Sequence, residues 1–403
     1  MLKLLEGITV VEMGTYVAVP KAARMLADWG ADVIKVESPG GDDWRVVGQS
    51  FSVPYDEGFN PIFQSENANK RAVALNLKSD NGKAAMHKLL EKADVFMTNT
   101  RPASLERLGL DYESIKDKYP GLICLYFSGY GDLGPEKDRP GFDIAAFWAK
   151  GGALQDFAVA ESQPSRPNPG FGDSCVSPSL AAGILAALIR KMRTGEGDKL
   201  KASLYGTNLF YYSNGVVMGN EQFGQHYPES RYEQKSPLSN LYKTKDGDWF
   251  MFTGMNYERR SKEVLRILDL HEYVDDERFY TLEGARKNMR YVVEIFEEAF
   301  AKLTSEEVSK RFSSIDFVHE KLNTCTNVPK DAQAWANDYL REVTFQDGRS
   351  AVVPNNPIQF ESGEAATELA PRVGEDTKEV LKSLGYTDAE LEAMAKNDEI
   401  CML

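Results

Sequence analysis

Ile8-Thr-Val-Val-Glu-Met13, then Pro20 to Gly30, then Ala31-Asp-Val-Ile-Lys-Val-Glu37 is the stretch that decides the fold class. The first segment is a short run of apolar and β-branched residues and reads as a buried strand. Pro20 stands where a first helical turn tolerates it, because an N–H there has no intrahelical partner. Ala22–Trp29 continues as helix to Gly30. Ala31–Glu37 reads as a second strand. A strand, a helix and a strand in so short a span imply a parallel pair.

The pattern repeats outward. Ala72–Leu77 is a third strand, Gly82–Ala93 a helix and Asp94–Thr98 a fourth strand. Tyr112–Tyr119 is a short helix and Leu122–Phe127 a fifth strand. These alternations predict an α/β fold with a large Rossmann-like parallel sheet. From about Asn220 the texture changes. Lys243–Phe252 reads as a hairpin turning at Asp246-Gly247. Helical patterns run from Glu258 to Ala301, and Thr304-Ser-Glu-Glu307 is a capping box. The expected division is a large domain over 1–219, a smaller inserted α+β domain over 220–325, and a return to the large domain over 326–403. The return carries a strand-like segment near Val343–Val353 and two helices. The second of these opens on Thr387-Asp-Ala-Glu390, another capping box.

A chain of 403 residues with 42% hydrophobic and 27% charged content suits about two folded domains. The net charge of −14 argues against nucleic acid and anionic membranes as partners. No apolar stretch is read as approaching about 20 residues, so no membrane span is expected. The N-terminal segment is too short and polar for a secretory signal. Cys124, Cys175, Cys325 and Cys401 lie far apart and read as free thiols of a reducing cytoplasm. His87, His226, His271 and His319 are also scattered, so no metal site is expected.

Ser128-Gly129-Tyr130-Gly131-Asp132-Leu133-Gly134 contains a formal G-x-G-x-x-G. Pro135-Glu-Lys-Asp-Arg139-Pro140 follows, a charged loop where a dinucleotide site needs an amphipathic helix. It reads as a turn. Pro169-Gly-Phe-Gly-Asp173-Ser174 is more informative. It places a carboxylate on a glycine-lined bend, open to close approach, at the start of a long apolar run ending at Arg193-Thr194-Gly195. Taken by itself, an Asp opening a helix is most often an N-cap.

The segments between the elements carry a resemblance. Gly30 to Asp42, Asn67 to Lys78, Asn99-Thr-Arg-Pro102, Leu108-Gly-Leu-Asp-Tyr112, Ser128-Gly-Tyr-Gly131, Gly172-Asp-Ser174 and Gly374 to Val380 occur in order. Across essentially the whole chain this series resembles the class III CoA-transferases, the CaiB/BaiF family. Glu66 to Lys70, Pro140-Gly-Phe-Asp143 to Trp148, and Gln333 to Leu340 resemble the branch acting on 2-hydroxy acids such as phenyllactate and 2-hydroxyisocaproate in amino-acid fermentation.

The resemblance implies that Asp173 is the nucleophile, passing through an aspartyl-acyl anhydride and an aspartyl-CoA thioester, with coenzyme A as the only cofactor-like group and no metal. A helix N-terminus behind Asp173 is expected to keep it ionised. For CoA the resemblance implies Lys78, Asn99, Thr100 and Arg107 at the nucleotide end. Val17, Ala18, Leu75 and Leu108 would lie along the pantetheine arm, and Lys137 and Arg139 near the phosphates. Val17 replaces a glutamine of the formyl-CoA branch and, beside Tyr16, suits an apolar branched or aryl acyl chain. Tyr130, Phe142, Phe147 and Trp148 are expected near the mouth. Phe252-Thr-Gly254-Met-Asn256 stands where that branch carries a glycine run. The resemblance also implies an interlocked, ring-like homodimer.

The expected activity is transfer of CoA from an acyl- or enoyl-CoA, cinnamoyl- or isocaprenoyl-like, to an aryllactate or 2-hydroxyisocaproate. Two alternatives are an acyl-CoA racemase of the same fold and a non-catalytic CoA-binding protein. The racemase needs a histidine in the loop after the fifth strand, and the nearest upstream, His87, falls within a predicted helix. In the non-catalytic reading Asp173 is only a cap.

Overall fold

The computed structural model describes residues 2–160, 162–224, 226–365 and 367–403. The chain divides into two compact units: Met1–Ala153 with Arg166–Val217 and Ala332–Leu403, and Leu154–Ser165 with Met218–Asp331. The large unit therefore lacks a segment, Leu154–Ser165, that the sequence reading leaves within it. The boundaries fall at 217/218 and 331/332 instead of 219/220 and 325/326.

Six parallel strands form the centre of the large unit: β1 Thr9–Met13, β2 Asp32–Glu37, β3 Arg71–Leu75, β4 Val95–Thr98, β5 Ile123–Ser128 and β6 Lys199–Ser203. Their order is β3-β2-β1-β4-β5-β6, and a short antiparallel strand, Ile400–Cys401, closes the β3 edge. The order reverses between β1 and β4, so the loops leaving their carboxyl ends diverge and open a crevice. Neither β6 nor the edge strand is among the strands read from the sequence.

Alternation along the strands divides two cores. Val10, Val33, Val95, Met97 and Ile123 face a layer containing helix α1 (Ala18–Asp28) and the long helix Phe171–Thr194. Val11, Ile34, Val73 and Phe96 face the helices on the opposite side, including Asp80–Lys92 and the two C-terminal helices. Burial on both faces explains why the strands read as apolar runs.

The long helix corrects one expectation. It holds 24 residues, and an 18-residue window of it has a mean hydropathy of 1.4, long and apolar enough by length and composition to cross a bilayer. Val176, Leu180, Ala181, Ile184 and Leu188 spend that character in the core shared with α1.

The second unit packs a three-stranded antiparallel sheet, Leu241–Lys243, Trp249–Phe252 and His319–Lys321, against helices including Met289–Phe300 and Ser305–Ser314. The hairpin turns at Asp246-Gly247, and both capping boxes form as their spacing predicts. In the large unit Val343–Val353 resolves into an antiparallel pair, Leu340–Thr344 and Ser350–Pro354.

Candidate active site

The start of the long helix departs from simple capping. Gly170, at φ +81°, is the cap residue, and Asp173 lies inside the first turn. The carboxylate at the helix end belongs to Asp143, whose Oδ2 accepts from the Gly170 N–H at 2.8 Å. A Cβ on Gly172 would come within 2.2 Å of Asp143 Oδ1 and 2.6 Å of the Phe147 ring. Glycine is thus required at 172 to let Asp143 reach the helix end.

This reverses the expected electrostatics of Asp173. The helix N-terminus is occupied by a different carboxylate. Burial, then the charges of Asp143 and Glu66, push the Asp173 carboxyl up to about 7, with only Lys21 opposing. Asp143 is itself raised by burial, against the backbone N–H groups of Gly170, Gly172, Asp173 and Phe171. Lys21, on α1, donates to Ser174 Oγ at 3.0 Å and lies 3.4 Å from Glu66 Oε2. A carboxylate poised near neutrality is a stronger nucleophile than an ordinary aspartate, yet still ionises at physiological pH.

The residues expected to bind CoA leave the carboxyl ends of the parallel strands. Val17 and Ala18, both buried, open α1, and Val17 Cγ2 is 3.4 Å from the position a Gly170 Cβ would take. Of the expected set, it is Val17 that this contact ties to the Asp173 segment. Leu75 ends β3, with Lys78 exposed beyond it. Asn99 follows β4, but its side chain is engaged. It accepts from Thr15 N–H at 3.0 Å and donates to Thr15 C=O at 2.8 Å, bridging the loops on either side of the crevice. Thr100 N–H donates to Thr98 Oγ1.

Arg107 is exposed and donates to Ser104, while Leu108 packs toward the core. Lys137 is exposed. Arg139 pairs with Glu136 at 2.6 Å and lies over the Tyr130 ring, so it is not a free cation.

The expected aromatic mouth is only partly realised. Phe147 is core, Trp148 packs beside it and against Phe171, and Tyr130 faces Arg139. Phe142 is 59% exposed and meets Tyr16 edge-on at 5.3 Å. Sequence reasoning assigned no site role to Lys21, Glu66, Asp143 or Trp44. Phe-Asp143 was visible only as part of a family stretch, and Lys21 carried no local signal.

A cavity of about 450 Å³ lies elsewhere in the large unit. Phe59, Phe63, Phe345, Leu369, Arg372 and Leu403 are among its lining residues, but neither Asp173 nor any expected CoA residue is. His87 lies on the helix Asp80–Lys92, within 3.1 Å of the Tyr119 hydroxyl. The other histidines belong to the second unit. The G-x-G-x-x-G loop after β5 opens no helix, and the next helical turn is Ile144–Ala149.

Comparison with known proteins adds four findings. Residues 5–377 match the model of CoA-transferase family III. The chain is 40% identical over 389 residues to the (R)-2-hydroxy-4-methylpentanoate CoA-transferase of Clostridioides difficile, covering 96% of this chain and 97% of that one. It is 36% identical over 403 residues to the cinnamoyl-CoA:phenyllactate CoA-transferase of Clostridium sporogenes, covering 98% and 97%. Among solved structures, a CaiB/BaiF family protein from Brucella suis superposes with a TM-score of 0.82 at 25% identity, over 95% of this chain and all of that one.

Proposed function

The chain belongs to CoA-transferase family III, and from that premise we propose that it moves CoA from an acyl- or enoyl-CoA to a 2-hydroxy acid. The observation that carries the chemistry is Asp173: a partly buried carboxyl raised to about 7, just after Gly170 and Gly172. Its carboxylate attacks the thioester carbonyl, forming a mixed anhydride as the CoA thiolate leaves. The thiolate then attacks the aspartyl carbonyl, releasing the donor acid and leaving an aspartyl-CoA thioester. The carboxylate of the 2-hydroxy acid attacks that thioester, forming a second anhydride and freeing the thiolate. Attack of the thiolate on the substrate carbonyl yields 2-hydroxyacyl-CoA and restores Asp173. Each step exchanges one acyl bond for another of similar energy, so no metal or redox group is called for.

Arylacyl or branched acyl groups, cinnamoyl- or isocaprenoyl-like, are the proposed donors, supported by Val17 beside Gly170, by the edge-on pair Tyr16 and Phe142, and by the two relatives. The nucleotide is assigned to the carboxyl-end segments bearing Lys78 and Arg107. A homodimer is the proposed assembly. Ile189, Met192, Phe210 and Val217 in the large unit are exposed apolar side chains, at 51%, 81%, 76% and 56%, that such an assembly could cover. The free thiols suit a cytoplasmic setting.

Trapping tests the reading. Incubation with cinnamoyl-CoA, quenching with hydroxylamine and peptide mapping should place the mass change on Asp173. Exchange of CoA with Asp173 unmodified would overturn the covalent route.

A further inference from the structure

Several buried charges take no part in that reaction. Lys35 is fully buried on β2, directly opposite Glu12 on β1. It contacts Glu12 at 3.3 Å, Asp42 at 3.0 Å and the Gly14 carbonyl at 2.9 Å. Asp42 is 4% exposed and uses its other oxygen on the loops above. Its Oδ1 accepts the Tyr16 N–H at 3.2 Å and the Trp44 N–H at 2.9 Å.

Tyr16 has φ +64°, a left-handed backbone that a non-glycine residue keeps only where its surroundings enforce it. Its ring meets Trp44 edge-on at 6.0 Å and Phe142 at 5.3 Å. Trp44 Cη2 reaches 4.0 Å from where a Gly170 Cβ would stand, three residues before Asp173. One buried ion pair thus fixes two loops whose rings meet edge-on, and one of them, the buried Trp44, reaches the reactive segment.

We propose that Asp42, fixed by Lys35, is a positioning residue that sets a Tyr16–Trp44 wall selecting aryl-bearing acyl groups. The proposal rests on the CoA-transferase reading of the site. Rings offering edges and faces in T-shaped contact accept a planar aryl group better than a short linear chain, which leaves them uncovered.

The test measures kcat and KM with cinnamoyl-CoA and butyryl-CoA, and the Kd of each, for the full-length protein. Asp42→Ala should lower kcat/KM for cinnamoyl-CoA about tenfold more than for butyryl-CoA, as expected when a contact group is displaced. Asp42→Asn keeps one oxygen for the two N–H groups but turns an N–H donor toward the buried Lys35, so it should lose the same preference. An equal loss for both donors in either variant would reduce Asp42 to a structural role and overturn the proposal. If Asp42→Ala does not fold, Tyr16→Gly relieves the left-handed residue and removes the ring. It should lose the same preference in a folded protein, and a retained preference refutes the wall. If the wild type exchanges no CoA with any acid, the transferase reading falls. The wall is then judged by the ratio of cinnamoyl- to butyryl-CoA Kd, which should shrink about tenfold in Tyr16→Gly.

Discussion

The large unit buries carboxylates in two places, and the two behave oppositely. Under β1 and β2, Glu12 is fully buried. Burial pulls its pKa upward, but Lys35 and Lys70, at 3.3 and 3.0 Å, hold it below the ordinary carboxylate range. Glu37 and Asp42 complete that cluster, with Arg45 2.9 Å from Glu37. At the long helix, Asp143 and Glu66 act on Asp173 against a single lysine, Lys21, and Asp173 rises to about 7. Burial is common to both, and the supply of cations differs. A matched cluster is inert scaffold, whereas a carboxylate short of cations is held in a reactive state.

Removing the reactive carboxylate should have the largest effect. Asp173→Asn keeps the size and polarity of the side chain but cannot form the anhydride, so turnover should fall about 10³-fold or more. The protein should remain folded and bind CoA. Steady-state exchange with CoA titration by calorimetry reads both. Turnover within tenfold of wild type would assign the chemistry to another group.

The matched cluster should fail differently. Lys35→Met leaves Glu12 and Asp42 without their shared cation, and breaking a buried pair from one side costs about 3–5 kcal/mol. Urea unfolding should show that loss. A change below about 1 kcal/mol would mean that water or Lys70 compensates, making the cluster less sealed than its burial indicates.

The same contrast should appear in the pH dependence of stability. Asp173 has its folded pKa above the unfolded value of about 3.9. Between pH 4 and 7 the folded state holds a proton that the unfolded state has lost, so this group's contribution falls as pH rises through that window and levels off above it. Asp173→Asn removes the dependence. The variant should therefore gain on wild type from pH 4 to pH 8, by roughly 1–3 kcal/mol after allowance for partial exposure. Thermal melts across that range check it. A constant difference would show that Asp173 titrates near its ordinary value.

What was legible in the sequence follows the same division. The strands β1 to β5, both capping boxes and the Asp246-Gly247 turn were readable because each signal is local: periodicity, a fixed spacing or a turn dipeptide. The edge strand Ile400–Cys401 was not, since two residues carry no periodicity. Asp173 itself is singled out only by an ordered series of family segments. Its ionisation was misjudged because local reasoning saw a helix N-terminus and assigned its dipole to the nearest carboxylate. Asp143 arrives from a separate loop, through space left by Gly172, and takes that position. Lys35, in Asp-Val-Ile-Lys-Val, looked like a charge within a strand. Its partners Glu12 and Asp42 meet it through strand register and a returning loop.

Asp143→Asn separates the two causes of the raised Asp173 pKa, with the smallest expected effect. The amide oxygen can still accept from the Gly170 N–H, so the helix end and the fold should persist. The nearest negative charge is gone, while burial, Glu66 and Lys21 are unchanged. Asp173 should then ionise at lower pH, moving the acid limb of the kcat/KM profile down by up to about one unit. Activity at pH 6 should rise relative to the plateau, although the plateau itself drops as the carboxylate becomes less basic. An acid limb that stays in place would assign the shift to desolvation and Glu66, with no part for Asp143. The Asp143 carboxylate would then serve only to hold the helix end, and its charge would contribute nothing to the contrast with the sealed cluster.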